Sequence, residues 1–513
     1  MGTVVTEAEV LVVGGGLVGL TTALLLRHHG VEVTLIEKRP GTSPQPKARR
    51  FHVRSMEIFR ELGLADLVRE AARDLAGHDH MAAGRTLAEA GQLPLWVPPG
   101  AGAAGAPAGA PAGGVGGRGS AGADSAPATV AAEVSPELPC LIAQDTLEPL
   151  LRAAAVAAGA TVRFGAELTG FTQDGEGVDA VVAGRDEGQD GRPLRARYLV
   201  AADGARSPVR EALGITRSGR GFTGGPMVNV YFRADLGQVV RGREFNLCQI
   251  EHPDAPGGLA SVDGRFRWVF MSPGPAADRD WPALLRTALG GPAPDLEVLS
   301  VLPWRAEMRV ADRYRMGRVF LAGDAAHVMP PFAASGANTG IADAHNLAWK
   351  LAAVLRGEAA DALLDSYQAE RRPAGWFAAD QSARRTGDLR SPASPGNGLA
   401  HPYVLAAGGF QYPAGALAGH PADDPEPITE FRPAGRVGTR VPHRWLDAAR
   451  TRSTIDLAGP GWAVLAVAAE VDFLPAGHAL LLRPDHIVAW RGTDPMVAPG
   501  VREAILQGAR RRH

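Results

Sequence analysis

The sequence predicts an α/β protein built on a Rossmann-like βαβ unit, followed by a β-rich region and a small C-terminal unit. Three observations carry that prediction. An apolar strand runs into Gly14-Gly15-Gly16-Leu17-Val18-Gly19 and an apolar helical stretch, and a second strand then closes on Glu37. A second buried run, Gly317 to Asp324, ends in a turn ahead of a long helical segment. Between them, from about Gly219 to Trp304, apolar and polar residues alternate as in an antiparallel sheet.

The 513 residues are enough for several cores, and 45% of them are hydrophobic. A balance of 53 basic against 55 acidic side chains excludes a general nucleic-acid binder, which needs a basic excess. Two cysteines, Cys140 and Cys248, cannot build a disulfide framework or a four-thiolate metal site. The uncharged run Val10 to Leu26 has nearly the length of a signal or short membrane segment. However, Glu7 and Glu9 precede it and four glycines break it, so no membrane association and a cytoplasmic location are expected.

In chain order, Glu9 to Val13 is a strand, the helix after Gly16 runs to His29, and Val31 to Ile36 is the second strand. The tract from about Pro99 to Ala132 is almost pure Ala/Gly/Pro and reads as a flexible insertion. It contains a second G-x-G-x-x-G at Gly114 to Gly119 with no strand before it, which shows how little the bare motif means. A helix opens at Gln144, and short strands follow at Thr161–Phe164, Leu168–Thr172 and Val178–Val182. A strand over Arg195 to Ala202 ends at Asp203-Gly204, and Ser207 to Leu213 is helical. Long helices cover about Gly336 to Leu355 and Ala362 to Arg385. A Gly/Pro-rich stretch to Arg436 then precedes strands near Ser453–Leu457, Trp462–Ala466, Ala479–Leu482 and Ile487–Trp490.

The first βαβ unit is suited to a pyrophosphate. Gly14 permits the tight turn, Gly16 lets backbone approach the phosphate, and Gly19 lets helix and strand pack closely. Glu37 accepts from a ribose and repels a 2′-phosphate, which favours FAD or NAD over NADP there. Asp324 sits at a strand end, and the Gly336 to Asn338 amides begin a helix, as a group binding ribitol hydroxyls and a ring edge requires. His28, His29 and His327 have no spacing that suits zinc, so no metal is expected.

Gly14-x-Gly16-x-x-Gly19, Asp203-Gly204 and Gly323-Asp324, in that order, resemble the three fingerprints of the class A (single-component) flavoprotein monooxygenases of the p-hydroxybenzoate hydroxylase fold. The similarity is greatest from Asp324 to Lys350. Gly438 to His443 and Leu482 to Arg491 resemble the C-terminal domain of the bacterial aromatic-polyketide hydroxylase branch, which is thioredoxin-like and here lacks Cys-x-x-Cys. The resemblance implies a discontinuous FAD-binding domain (1–75, 140–215, 305–390). It also implies a β-rich substrate domain (76–139, 216–304) and a linker with C-terminal domain (391–513).

It further implies non-covalent FAD held by Gly14, Gly16, Gly19, Glu37, Lys38, Arg49, Gln144, Asp203, Asp324, Gly336, Ala337 and Asn338, with Lys47 an alternative to Arg49. NADPH or NADH is the transient donor and O2 the co-substrate. A flavin C4a-hydroperoxide oxygenates a polycyclic phenol, with Pro331, Phe332, Ala333 and Ala334 near the reactive edge and no protein group assigned as catalytic. Substrate-lining candidates are Phe222, Tyr231, Phe245, Trp268 and Trp304. The partner is a small aromatic molecule, and the chain is a monomer or homodimer. Two departures from the family pattern, Ala333-Ala334 in place of two glycines and Arg50 in place of one, lie close to the reacting edge. A Baeyer–Villiger oxygenase, a simple phenol hydroxylase and a flavin-binding protein without oxygenase activity are the alternatives.

Overall fold

The computed structural model describes residues 6–93, 133–184, 191–291, 293, 295–331, 335–385, 397–408, 410–467 and 471–508. The Ala/Gly/Pro tract and Phe332, Ala333 and Ala334 lie outside them.

The first sheet runs in the order β16 (Arg315–Met316), β17 (Val319–Leu321), β10 (Arg192–Ala201), β1 (Thr6–Val13), β2 (Val33–Glu37) and β7 (Thr161–Phe164). Its centre is parallel, and β1 pairs with both β2 and β10. The near-continuous Val/Leu/Ile content of β1, β2 and β17 follows, because helices cover both faces of such a sheet. Strands β8 (Ala166–Gln173) and β9 (Val178–Gly184) extend it antiparallel. Helix α1 (Leu17–His28) starts from Gly16, buries its Leu20, Leu24 and Leu25, and stops at Gly30 with φ +78°.

The second sheet is ordered β18 (His327–Val328), β15 (Glu297–Ala311), β11 (Arg217–Arg233), β14 (Arg267–Pro273), β13 (Gly257–Ser261), β12 (Leu247–Ile250), β4 (Met81–Gly84) and β5 (Gly91–Gln92). A small pair, β3 (Arg50–Phe51) with β6 (Cys140–Leu141), ties the entrance of helix α2 (Val53–Glu61) to the entrance of helix α3 (Gln144–Ala157). Helix α4 (Trp281–Leu289) covers one face of the second sheet. Helices α5 (Ser335–Leu355) and α6 (Asp365–Arg384) return the chain to the first.

The C-terminal unit has an antiparallel sheet of β19 (Ala463–Ala466), β20 (Ala479–Leu482) and β21 (Val488–Gly492), with helix α7 (Ala498–Leu506). The strand expected at Ser453–Leu457 is a 3-10 turn instead. Ser453 accepts from the Ile455 amide while the Asp456 carboxylate accepts from the Ser453 amide, and that reciprocal cap closes a helical turn.

Buried ion pairs join this unit to the rest. Glu370 accepts from Lys350 Nζ (2.7 Å) and from both Arg483 terminal nitrogens (2.8 Å each). Glu57 accepts from Arg440, Arg54 and Ser135. Burial by itself raises the Glu57 carboxyl, and the two guanidiniums outweigh it, holding the group at about 2.

His29 and His443 are buried, and that burial lowers each from 6.5 to about 4. Both are neutral when folded and titrate normally when unfolded, so the unfolded chain binds more protons between those values. Stability is therefore full above about pH 6.5 and falls as the pH drops toward 4, by up to about 3 kcal/mol per histidine. Urea midpoints measured from pH 7 to 4.5 should show the fall, and His443→Gln should flatten it. Equal slopes in the two proteins would refute the assignment.

Candidate active site

One cavity of about 2280 Å³ lies between the two large sheets. Gly14, Gly16, Glu37, Lys38, Arg49, Gln144, Asp203, Asp324, Pro331, Gly336 and Ala337 all line it, although they come from six separate stretches of chain.

The glycine turn divides by purpose. Gly14 has φ +110° and an added Cβ would lie 2.3 Å from the Ala202 carbonyl oxygen, while a Cβ on Gly19 would lie 1.8 Å from the Gly14 oxygen. Those two glycines are required by the turn itself. At Gly16 the nearest atom to an added Cβ is Glu148 Oε1 at 3.5 Å, so the protein leaves that space open at the α1 N-terminus. This opening fits a pyrophosphate, because an uncapped helix start offers amide donors and partial positive charge. Glu37 accepts from the Gly15 amide (2.7 Å) and the Arg39 amide (2.9 Å), which hold it beside the turn.

Asp324 also lines the cavity, on a loop whose Gly323 packs against Val18 of α1. Surrounding protein raises its carboxyl, and nearby His327 and Lys47 pull it back down. Its loop is positioned by Asp343, which accepts from the Gly323 amide (3.1 Å), His327 Nε2 (2.7 Å) and Arg371 Nε (2.8 Å). Asp203 Oδ2 accepts from the Val209 amide, its Oδ1 has no hydrogen-bond partner among the described residues, and burial raises the carboxyl. Arg49 donates to the Asn246 and Ser261 carbonyls and pairs with no described carboxylate. Its burial lowers it to about 10.

Two of the expected cofactor residues, Gly19 and Asn338, are not among the residues lining the cavity. Gly19 lies behind the turn against Gly14 and does not line the cavity. The Asn338 side chain is turned away from the cavity as well. Its Oδ1 accepts from the His52 amide and Ser55 Oγ, and its Nδ2 donates to the Arg50 carbonyl, so it fastens β3 and α2 to the start of α5.

The substrate assignments are corrected more broadly, since none of the five residues lines the cavity. Trp268 and Phe245 face the opposite side of the second sheet, 6.0 Å apart in the core beneath α4, and the Trp268 indole donates to the Ala234 carbonyl. Phe222 is 55% exposed under the Arg305 guanidinium. Tyr231 is covered by Ala143 and Val262, with its hydroxyl beside Arg267, and the Trp304 indole donates to Asn229 Oδ1 beside it. The strand period decides this for Trp268, which points away from the face of Asn229, whereas Tyr231 and Trp304 stand on that face without lining the cavity. Asn229 pairs with Met271 and Tyr231 with Val269, so Asn229, Val269 and Met271 share the cavity face with Leu247, Gln249 and Ala260.

Glu148 and Asp343 were not legible as site residues. Glu148 accepts from Gln144 Nε2 (2.7 Å) and the Ser43 amide (2.7 Å), holding the loop that carries Lys47 and Arg49. The available signal was its spacing, four residues after Gln144 on one helix. The fold also gathers Glu61, His345 and His486 within ligand distance of one another. Arg54 donates toward Nδ1 of both histidines (3.1 and 2.8 Å), which places their protons on Nε2, facing Glu61. That tautomer makes a hydrogen-bonded latch and offers no lone pairs to a cation.

The chain matches the FAD binding domain family over residues 7–382. It is 40% identical over 560 residues to tetracenomycin B2 monooxygenase-dioxygenase of Streptomyces olivaceus, covering 98% of each chain. It is 34% identical over 560 residues to aklavinone 12-hydroxylase RdmE of Streptomyces purpurascens, covering 99% of this chain and 98% of that one. Among solved structures, a ternary complex of aklavinone-11 hydroxylase with FAD and aklavinone has a TM-score of 0.82 at 31% identity, covering 99% of this chain and 100% of that one. The flavin-dependent monooxygenase PieE, in complex with FAD and substrate, has a TM-score of 0.79 at 27% identity, covering 98% and 100%.

Proposed function

We propose that this chain, which belongs to the FAD binding domain family, inserts one oxygen atom from O2 into a polycyclic aromatic polyketide phenol, with NADPH or NADH as the transient electron donor. The observation that carries the reading is the cavity between the two large sheets, in which the open glycine turn at the head of α1 and the apolar residues of the second sheet share one lining. Among the described lining residues there is no cysteine or histidine nucleophile poised over that sheet; the lining histidine, His52, stands at the start of α2.

When bound, FAD supplies the activation of oxygen. The protein's part is binding and exclusion of water. The open space at Gly16 and the α1 amides would hold the pyrophosphate, Glu37 the adenosine ribose, and Asp324 the ribitol. The Gly336 and Ala337 amides would serve the ring edge, and Arg49 would supply positive charge in the same chamber. Leu247, Ala260, Val269 and Met271 form a flat apolar wall against which a planar ring is held in a dry site.

Replacing Asp324 by Ala removes a charged acceptor and should weaken FAD about 10- to 100-fold, for a loss of roughly 1.5–3 kcal/mol. Flavin retained through dialysis reads this directly, and full occupancy would reject the ribitol assignment. The reaction itself is tested with labelled oxygen gas and a panel of anthraquinone- and angucycline-type phenols. Label in a new ring hydroxyl supports hydroxylation, whereas label in a lactone supports Baeyer–Villiger oxygenation. Absence of substrate-stimulated oxygen uptake across the panel counts against both.

A further inference from the structure

The cavity wall of the second sheet carries few polar groups, and one of them has a forced orientation. Asn229 lies on β11, on the face shared with Val269 and Met271, and lines the cavity. The Trp304 indole nitrogen, two residues along the paired strand β15 from the residue opposite Asn229, lies 2.7 Å from Asn229 Oδ1. An indole N–H only donates, so the atom facing Trp304 must be the amide oxygen. The Asn229 NH2 group is thereby left as a donor. No described residue accepts from it, and the residues paired with Asn229 on the two flanking strands, Met271 and Leu302, offer no side-chain oxygen.

We infer that Asn229 Nδ2 is a specificity-determining donor that binds a quinone-type ring carbonyl of the substrate, with Trp304 as the positioning residue that prevents the amide from flipping. The inference rests on the aromatic-substrate reading above and goes beyond it by naming the substrate feature recognised. A carbonyl held at Asn229 fixes the in-plane rotation of a flat ring system that the apolar wall alone leaves free to turn. Asn229 thus selects which ring edge meets the flavin. A substrate without that carbonyl leaves the donor facing an apolar edge with its water stripped away, which weakens binding.

The test uses the FAD-loaded protein and two probes, 1-hydroxyanthraquinone and 1-hydroxyanthracene, titrated by quenching of protein fluorescence. The wild type should bind the quinone about tenfold more tightly than the anthracene. Asn229→Asp keeps an acceptor for Trp304 but turns an acceptor toward the cavity, so the preference should vanish or reverse. Asn229→Leu should abolish it with flavin content unchanged. Trp304→Phe should reduce the ratio without abolishing it, because the amide is then free to rotate. A ratio in Asn229→Leu equal to that of the wild type would overturn the role of Asn229 alone. Failure of the wild type to bind either ring would overturn the proposed function with it.

Discussion

Valine at position 16 is expected to leave the chain folded and strip it of FAD. An added Cβ there meets nothing closer than Glu148 Oε1 at 3.5 Å, so the protein has no steric objection of its own. The branched side chain instead fills the space over the α1 amides. Losing two charge-assisted hydrogen bonds to pyrophosphate costs about 3–6 kcal/mol, roughly a hundred- to ten-thousand-fold in affinity. Gly19→Ala provides the contrast, because its Cβ would stand 1.8 Å from the Gly14 carbonyl oxygen and break the turn. Gel filtration followed by flavin absorbance, together with the thermal midpoint, separates the two effects. Colourless but folded Gly16→Val and destabilised Gly19→Ala are the expected pair. A Gly16→Val protein that keeps its flavin would move the pyrophosphate elsewhere.

The largest stability loss is expected at Glu370. Its carboxylate is fully buried and accepts from Lys350, Arg483, Asn346 (2.6 Å) and the Ala416 amide (2.8 Å). Burial already lowers the Lys350 ammonium to about 8, with Glu370 opposing that shift. Glu370→Gln leaves two buried cations facing Asp485 alone, and breaking such a pair from one side costs about 3–5 kcal/mol. Lys350→Met in the same chain should recover part of the loss, since it removes one of the stranded charges. Denaturant unfolding of the two single variants and the double variant measures this coupling. A Glu370→Gln protein within about 1 kcal/mol of wild type would show that the network is replaceable.

Local rules were enough for much of this molecule. The βαβ unit is legible because an apolar run, three glycines and an acid act over 29 residues from Glu9 to Glu37, and none needs a distant partner. Strands Thr161–Phe164 and Ala479–Leu482 coincide with the expected ones because their apolar content is bounded by turn residues. The 3-10 turn at Thr454–Leu457 went unread because a reciprocal cap of Ser453 and Asp456 outweighed the β propensity of Thr454 and Ile455. The aromatic candidates failed for a different reason. Large rings attract attention in a sequence, yet alternation places Trp268 and Phe245 on the core face and gives the cavity Asn229, Val269 and Met271.

The sequence by itself determined the glycine turn at the head of α1, because a turn that needs Gly14 and Gly19 is specified by neighbouring residues through sterics alone. It also determined the order of the three fingerprints and hence the family. Tertiary structure decided which face of the second sheet meets the cavity, since one residue of register exchanges every side chain between core and cleft. It alone placed His345 and His486 around the Glu61 carboxylate, and Trp304 against Asn229, across sequence separations no periodicity spans. Hydrogen bonds of that kind depend on distance in space, and distance in space is set by how the two sheets pack.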